Sequence, residues 1–196
     1  MPELDEMRRD RVLCAVVGCF ARYGYRRTSM DLLAQAADMS RPALYQYFRN
    51  KEEIFRSGVE WALGRTAIQA EHAAGSDAAV EQRVRDILDA LLDLYGGSSV
   101  TGGHFHELLA EVYSRTADLW AAFEGRMLAA LRDVLDPVSG DSPVMPVGDV
   151  AAVLFYGVKG LGLESRPMRT RVEHAHQLAT LVLRGYSSVQ TDKIDL

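Results

Sequence analysis

The stretch from Thr28 to Lys51, TSMDLLAQAADMSRPALYQYFRNK, holds three helix starts so close together that only short helices and a tight turn fit between them. Thr28 is a hydroxyl residue placed to accept from the free N–H groups of a helix start. Asp31 follows at the spacing of a capping box, with Asp in the position usually held by Glu. Met30, Leu33, Ala34 and Ala37 then recur at i, i+3, i+4 and i+7, which gives the helix one core-facing stripe and leaves Asp31, Gln35 and Asp38 in water. Ser40 is a second N-cap, and Pro42 falls in the first turn after it, where a missing N–H costs nothing. Asn50 with Glu53 forms a third capping pair, so another helix begins at about Lys51. The three-residue break Asp38-Met39-Ser40 forces the two axes to cross steeply. In that geometry a second helix can enter a DNA major groove while the first lies across the backbone.

Charge supports the same reading. The formal net charge is −5, which argues against an indiscriminate nucleic-acid binder, but its distribution is uneven. From Arg8 to Arg49 there are eight Arg against three acidic residues, whereas residues 57 to 196 carry 12 basic and 19 acidic ones. The positive field is confined to the proposed reading head. Arg8, Arg9 and Arg11 are candidates for an arm over the DNA, with Glu3, Asp5 and Glu6 acting against it.

Beyond the head the pattern is helical throughout, and the chain is expected to be all-α with about nine helices. Helix one covers about residues 6 to 23, with Leu13, Val16, Val17 and Phe20 as its apolar stripe and Gly24 as its stop. Helix four runs from Lys51 to about His72. Further helices are expected at about 78–95, 105–114, 117–135, 149–164 and 168–188, separated by Gly/Ser- and Pro-rich breaks at 96–103 and 136–148. The N-terminus MPELDEMRRD has no apolar run behind it and does not read as a signal peptide. No segment reads as a membrane span, and with only Cys14 and Cys19, about 140° apart on one helix, a reduced cytoplasmic protein is the simplest expectation.

Residues 23 to 55, YGYRRTSMDLLAQAADMSRPALYQYFRNKEEIF, closely resemble the DNA-binding domain of TetR-family transcriptional regulators. The shared features are Tyr23-Gly24-Tyr25 at the end of helix one, Thr28 at the start of helix two, Leu44-Tyr45-Gln46-Tyr47-Phe48 in helix three, and Lys51-Glu52-Glu53 at the start of helix four. The resemblance implies a three-helix DNA-binding helix-turn-helix domain over residues 1–50 and a helical effector-binding and dimerisation domain over 51–196. It puts Ser40, Arg41, Pro42, Ala43 and Gln46 at base edges. Physical chemistry agrees for two of them, since Arg forms a paired hydrogen bond to guanine and Gln to adenine. Thr28, Tyr45, Tyr47 and Lys51 are then expected to hold phosphates, and Leu44 and Phe48 to be core.

The same resemblance implies an effector cavity, a homodimer through the last two helices, and a palindromic operator. Residues 150–163, VAAVLFYGVKGLGL, are apolar around most of a helix, and Gly157, Gly160 and Gly162 permit another backbone to come close. An apolar or aromatic effector is expected among Trp61, Arg65, Tyr95, Phe105, Tyr113, Trp120, Phe123, Phe155 and Lys159. His104/His106 and His174/His176 are i, i+2 pairs, about 200° apart on a helix, so neither pair shares a metal. No phosphate-cradling Gly loop, nucleophile elbow or HExxH occurs, so neither catalysis nor a cofactor is expected. The sequence-level conclusion is a homodimeric repressor released by a small molecule. The alternatives are an activator or ligand-independent DNA binder on the same fold, or a helical enzyme or carrier.

Overall fold

The computed structural model describes residues 2–96, 105–139 and 145–191, and these form nine α-helices, one 3₁₀ turn and no strand. The helices are α1 (Pro2–Tyr23), α2 (Met30–Ala36), α3 (Arg41–Tyr47), α4 (Lys51–Ala74), α5 (Val80–Gly96), α6 (Phe105–Arg115), α7 (Ala117–Leu135), α8 (Val147–Gly162) and α9 (Met168–Thr191). At the start of the Pro-rich break 136–148 a 3₁₀ turn, Asp136–Val138, continues α7 past its last residue because Pro137 is tolerated in the first turn of such a helix. Helix α1 starts at Pro2 rather than near residue 6. Pro is favoured at the first position of a helix, which suits a start at Pro2. Arg8, Arg9 and Arg11 therefore sit exposed on a helix and form no arm. Among the described residues no helix is long and apolar enough to cross a membrane.

The chain divides into two compact units, Met1–Arg65 with Gly97–Ala122, and Thr66–Gly96 with Phe123–Leu196. In the first unit α1 packs against α2 and α6, and α2 against α3. Its core is drawn from Leu13, Val16 and Phe20 of α1, Leu33 and Ala34 of α2, Leu44 and Phe48 at α3, and Ile54 and Phe55 of α4, all buried. The rings of Phe20, Tyr25 and Phe55 meet at centroid distances of 5.9, 5.1 and 4.8 Å, which fixes the turn after α1 against the start of α4. Leu44 is fully buried on a two-turn helix, so truncating it to Ala would cost about 2–5 kcal/mol and release that helix from the core.

In the second unit α5, α8 and α9 pack on one another. Val84, Ile87, Leu88, Leu91 and Leu92 of α5 are buried with Val150, Ala151, Leu154, Phe155 and Val158 of α8 and with Ala175 and Ala179 of α9. Two α8 glycines make this packing possible in a way the sequence did not reveal. A Cβ on Gly162 would lie 2.6 Å from Cγ of Tyr95, and one on Gly157 would lie 2.6 Å from Cδ2 of Leu178. Both glycines thus admit side chains of α5 and α9, not another backbone, while nothing lies within 4 Å of such an atom on Gly160.

Candidate nucleic-acid interface

Each helix of the head ends and begins on a specific local bond. Gly24 takes φ 76°, the left-handed conformation that closes α1, and its N–H donates to Phe20 O at 2.8 Å. At α2 the N-cap is Ser29, whose hydroxyl accepts from Leu32 N–H at 3.2 Å, and not Thr28. Two neighbouring hydroxyl residues fit the same start signal, and the position one residue later caps. The α2–α3 turn is a Schellman stop with Asp38 at the left-handed position (φ 52°): Met39 N–H donates to Ala34 O at 2.9 Å and Asp38 N–H to Gln35 O at 3.1 Å. Ser40 caps α3 by accepting from Ala43 N–H at 3.3 Å, with Pro42 in the first turn. Asn50 accepts from Glu53 N–H at 2.8 Å to start α4, and the Glu53 carboxylate accepts from Arg49 N–H at 2.6 Å, one residue before the expected reciprocal partner.

These caps rotate α3 so that Leu44 and Phe48 face inward while Arg41, Pro42, Tyr45, Gln46 and Tyr47 face solvent, with Ala43 half-buried and Ser40 exposed at the cap. Tyr45 and Tyr47 are 42% and 41% exposed, so neither is a core residue although they project from different sides. Arg41 is not left loose. Its Nη1 donates to both Oδ1 and Oδ2 of Asp31 at 3.1 Å, and its Cζ lies 5.7 Å from the centre of the Tyr45 ring. The Tyr45 hydroxyl, and then the Asp31 carboxylate, push the Arg41 pKa above its ordinary value.

Two of the expected phosphate ligands are engaged inside the protein. Thr28 is 2% exposed and its hydroxyl donates to Gly24 O at 2.7 Å, so it braces the turn after α1 and offers no hydroxyl to a phosphate. The Lys51 ammonium donates to Tyr25 O and Thr28 O, each at 3.1 Å, and lies 4.5 Å from the Tyr25 ring centre. Two of its three hydrogens are thereby used to tie the turn to the start of α4, which leaves one for a phosphate.

The sequence reading missed that α6 belongs with this head. Arg26 pairs with Glu111 at 3.1 Å and Arg27 with Glu107 at 3.3 Å, contacts between residues far apart in the chain that leave no local pattern. Arg115 at the end of α6 reaches Glu111 at 2.7 Å and Glu52 at 3.4 Å, and its Cζ sits 4.4 Å from the Tyr25 ring. Hydrogen bonding from Arg115 and then Arg26 holds the Glu111 carboxyl below its ordinary pKa. Arg56 pairs with Asp118 at the start of α7, and that hydrogen bond, first among the causes, lowers the Asp118 pKa to about 2.

Of the expected effector residues, Trp61, Arg65, Tyr113 and Trp120 belong to the first unit, and Tyr95, Phe123, Phe155 and Lys159 to the second. Trp120, Tyr95, Phe123 and Phe155 are buried. Tyr113 meets Trp120 edge-on at 4.9 Å, Arg65 lies over Trp61 at 5.1 Å, and Lys159 lies over Tyr156 at 5.7 Å. The Phe105 side chain and His104 lie outside the described residues. None of these lines the apolar groove of about 250 Å³ in the second unit, which is formed by Met145, Val150 and Val153 beside Leu181, Val182, Gly185 and Tyr186. Val153, Tyr156 and Leu181 are 47%, 49% and 71% exposed, large apolar side chains in water on α8 and α9.

Residues 13–57 match the family described as bacterial regulatory proteins, tetR family. Over 112 residues the chain is 26% identical to a protein of Bacillus subtilis described as the uncharacterized helix-turn-helix-type transcriptional regulator YhgD, covering 57% of this chain and 54% of that one. Over 94 residues it is 34% identical to the helix-turn-helix-type transcriptional repressor Rv1474c of Mycobacterium tuberculosis, covering 46% of this chain and 48% of that one. The chain thus spans about half the length of the curated relatives it matches. The crystal structure of a TetR-family transcriptional regulator, PfmR of Thermus thermophilus, has the same fold, with a TM-score of 0.64 at 24% identity over 89% of this chain and 97% of that one.

Proposed function

We propose, because residues 13–57 carry the head of the TetR family of bacterial regulatory proteins, that this chain is a sequence-specific DNA-binding transcriptional regulator. It acts as a homodimeric repressor that a small-molecule effector releases from a palindromic operator. The observation that carries the reading is the exposed face of α3, where Arg41, Gln46, Tyr45 and Tyr47 stand in water on a helix that two buried anchors hold in place. In this reading α3 enters the major groove. Arg41 and Gln46 read bases, with Ser40, Pro42 and Ala43 at the base edges, while Tyr45, Tyr47 and the third hydrogen of Lys51 hold phosphates.

Dimerisation is assigned to α8 and α9, and the support is their exposed Val153, Tyr156 and Leu181 around an apolar groove. A second copy covers that strip by two-fold symmetry, and the same axis relates two half-sites on DNA. The effector is of apolar or aromatic character and binds in the helical part after the head. Its signal reaches the head through α4, which starts at Lys51, and through α6, whose Glu107, Glu111 and Arg115 hold Arg27, Arg26 and Tyr25. A ligand that binds better when α6 is displaced weakens operator binding by the same coupling energy. The relative from Mycobacterium tuberculosis, itself named a repressor, supports that sign of regulation. The test is retention of a labelled duplex carrying the DNA that flanks the chain's own gene, at moderate salt against excess random duplex. Retention that the competitor does not remove is expected, and retention no better than that of random DNA overturns the proposal.

A further inference from the structure

Arg41, assigned above to a base edge, is held in advance by a residue of the other helix. Asp31 lies in the first turn of α2, and both of its carboxylate oxygens accept from Arg41 Nη1 at 3.1 Å. Asp31 takes Nη1 alone and Tyr45 is the other side-chain partner of the guanidinium, so the edge formed by Nη2 and Nε is the one turned away from Asp31, and a paired contact to guanine O6 and N7 needs two such N–H groups. The Tyr45 ring, one turn further along α3, flanks the guanidinium at 5.7 Å and limits its swing on that side. Both partners of the pair are more than half exposed, at 53% and 67% of the side chain, so the contact lies on the solvent face of the head and not in its core. A carboxylate there is a cost for any phosphate-binding surface, and a plain ion pair in water contributes little to folding.

We infer that Asp31 is a specificity-determining positioning residue: its carboxylate holds Nη1 of Arg41 so that the remaining guanidinium edge faces a guanine in the groove. The inference rests on the proposal that α3 reads DNA through Arg41. Asp31 touches no base itself. It narrows the directions Arg41 can take, so that a guanine is met by a donor pair already aligned and other bases meet a donor pair that cannot easily turn away.

The test uses the duplex that the intact chain enriches from a randomised library, together with variants of it changed at single positions. Arg41→Ala first identifies the guanine position at which discrimination is lost, by about 5- to 150-fold for a paired contact. Asp31→Ala is expected to bind random duplex a few-fold more tightly, because one negative charge is gone, and to lose discrimination by about five-fold at that same position and at no other. Asp31→Asn removes the charge but keeps a carbonyl acceptor for Nη1, so it tightens random binding equally while retaining most of the discrimination. Thermal melting of each variant confirms that the head remains folded. Equal discrimination in wild type and Asp31→Ala, equal loss in Asp31→Ala and Asp31→Asn, or loss spread over all positions each overturns the positioning role. Failure of Arg41→Ala to relax any position overturns the inference together with the Arg41 assignment. Absence of any enriched sequence with the wild-type chain is the separate failure of the DNA-reading proposal.

Discussion

Lys51→Ala removes more than a surface charge. The ammonium donates to Tyr25 O and Thr28 O at 3.1 Å each and lies 4.5 Å from the Tyr25 ring, so it fastens the turn after α1 to the start of α4. Desolvated hydrogen bonds from a charged donor contribute about 1.5–3 kcal/mol each, and a partly exposed cation–π contact about 0.5–1 kcal/mol. Two effects oppose this. Lys51 is half-buried, so water recovers part of the carbonyl hydrogen bonding, and a cation at a helix N-terminus works against the macrodipole by about 0.3–1 kcal/mol. The balance is a loss of about 2 kcal/mol, which lowers the melting temperature by about 4–8 °C in a chain of this size. Lys51→Met keeps the alkyl stem against Tyr25 and isolates the hydrogen bonds, so it should lose most of the same stability. Thermal and urea denaturation followed by circular dichroism measure both variants, and the salt dependence of DNA binding measures the third ammonium hydrogen. If both variants melt within about 0.5 kcal/mol of wild type and only DNA affinity falls, the ammonium is a phosphate ligand and the staple described here is wrong.

Three further outcomes test the packing and the electrostatics. Gly162→Ala drives a methyl into the Tyr95 ring and should destabilise by about 1–3 kcal/mol. Gly125→Ala, in α7 with nothing within 4 Å, should stabilise by up to about 1 kcal/mol, and parallel thermal melts compare the two. Asp38→Gly should raise the melting temperature and Asp38→Ala lower it by about 1 kcal/mol of stability, because the left-handed φ of 52° strains every side chain that lacks the short polar group of Asp or Asn. The Asp118 carboxyl, held at about 2 by Arg56 against an ordinary 3.8, contributes stability that is present above its unfolded pKa and is lost as pH falls through the folded value. Asp118→Asn should therefore melt below wild type at about pH 6, and the gap should close between about pH 4 and pH 2. A gap independent of pH in melts across that range refutes the pairing.

The helical skeleton was legible because its signals are local. Ser40, Pro42 and the Asn50–Glu53 pair lie within one turn of the ends they mark, and the buried residues Val84, Ile87, Leu88 and Leu91 of α5 recur at helical spacing. The same locality misled at Thr28, where an adjacent serine fits the cap equally well and only burial separates the two. The exposed face of α3 followed from Leu44 and Phe48 once the helix was placed. What Lys51 and Asp31 do did not follow, since a cation on two carbonyls or a carboxylate on an arginine depends on how helices cross. The α6 contacts of Arg26 and Arg27 depend on chain segments far apart, and no spacing rule reaches them. Gly157 and Gly162 were recognised as close-approach positions, but their neighbours Leu178 and Tyr95 come from other helices.

The central claim is that two copies of this chain read a two-fold symmetric DNA sequence through α3. Enrichment of duplexes from a fully randomised library, repeated with Arg41→Ala, tests it most directly. The account predicts an inverted repeat for wild type, with half-site centres about one helical turn of DNA (34–36 Å) or a multiple of it apart, and loss of preference at one symmetry-related pair of positions for Arg41→Ala. No enriched sequence, or an enriched sequence that Arg41→Ala leaves unchanged, contradicts it.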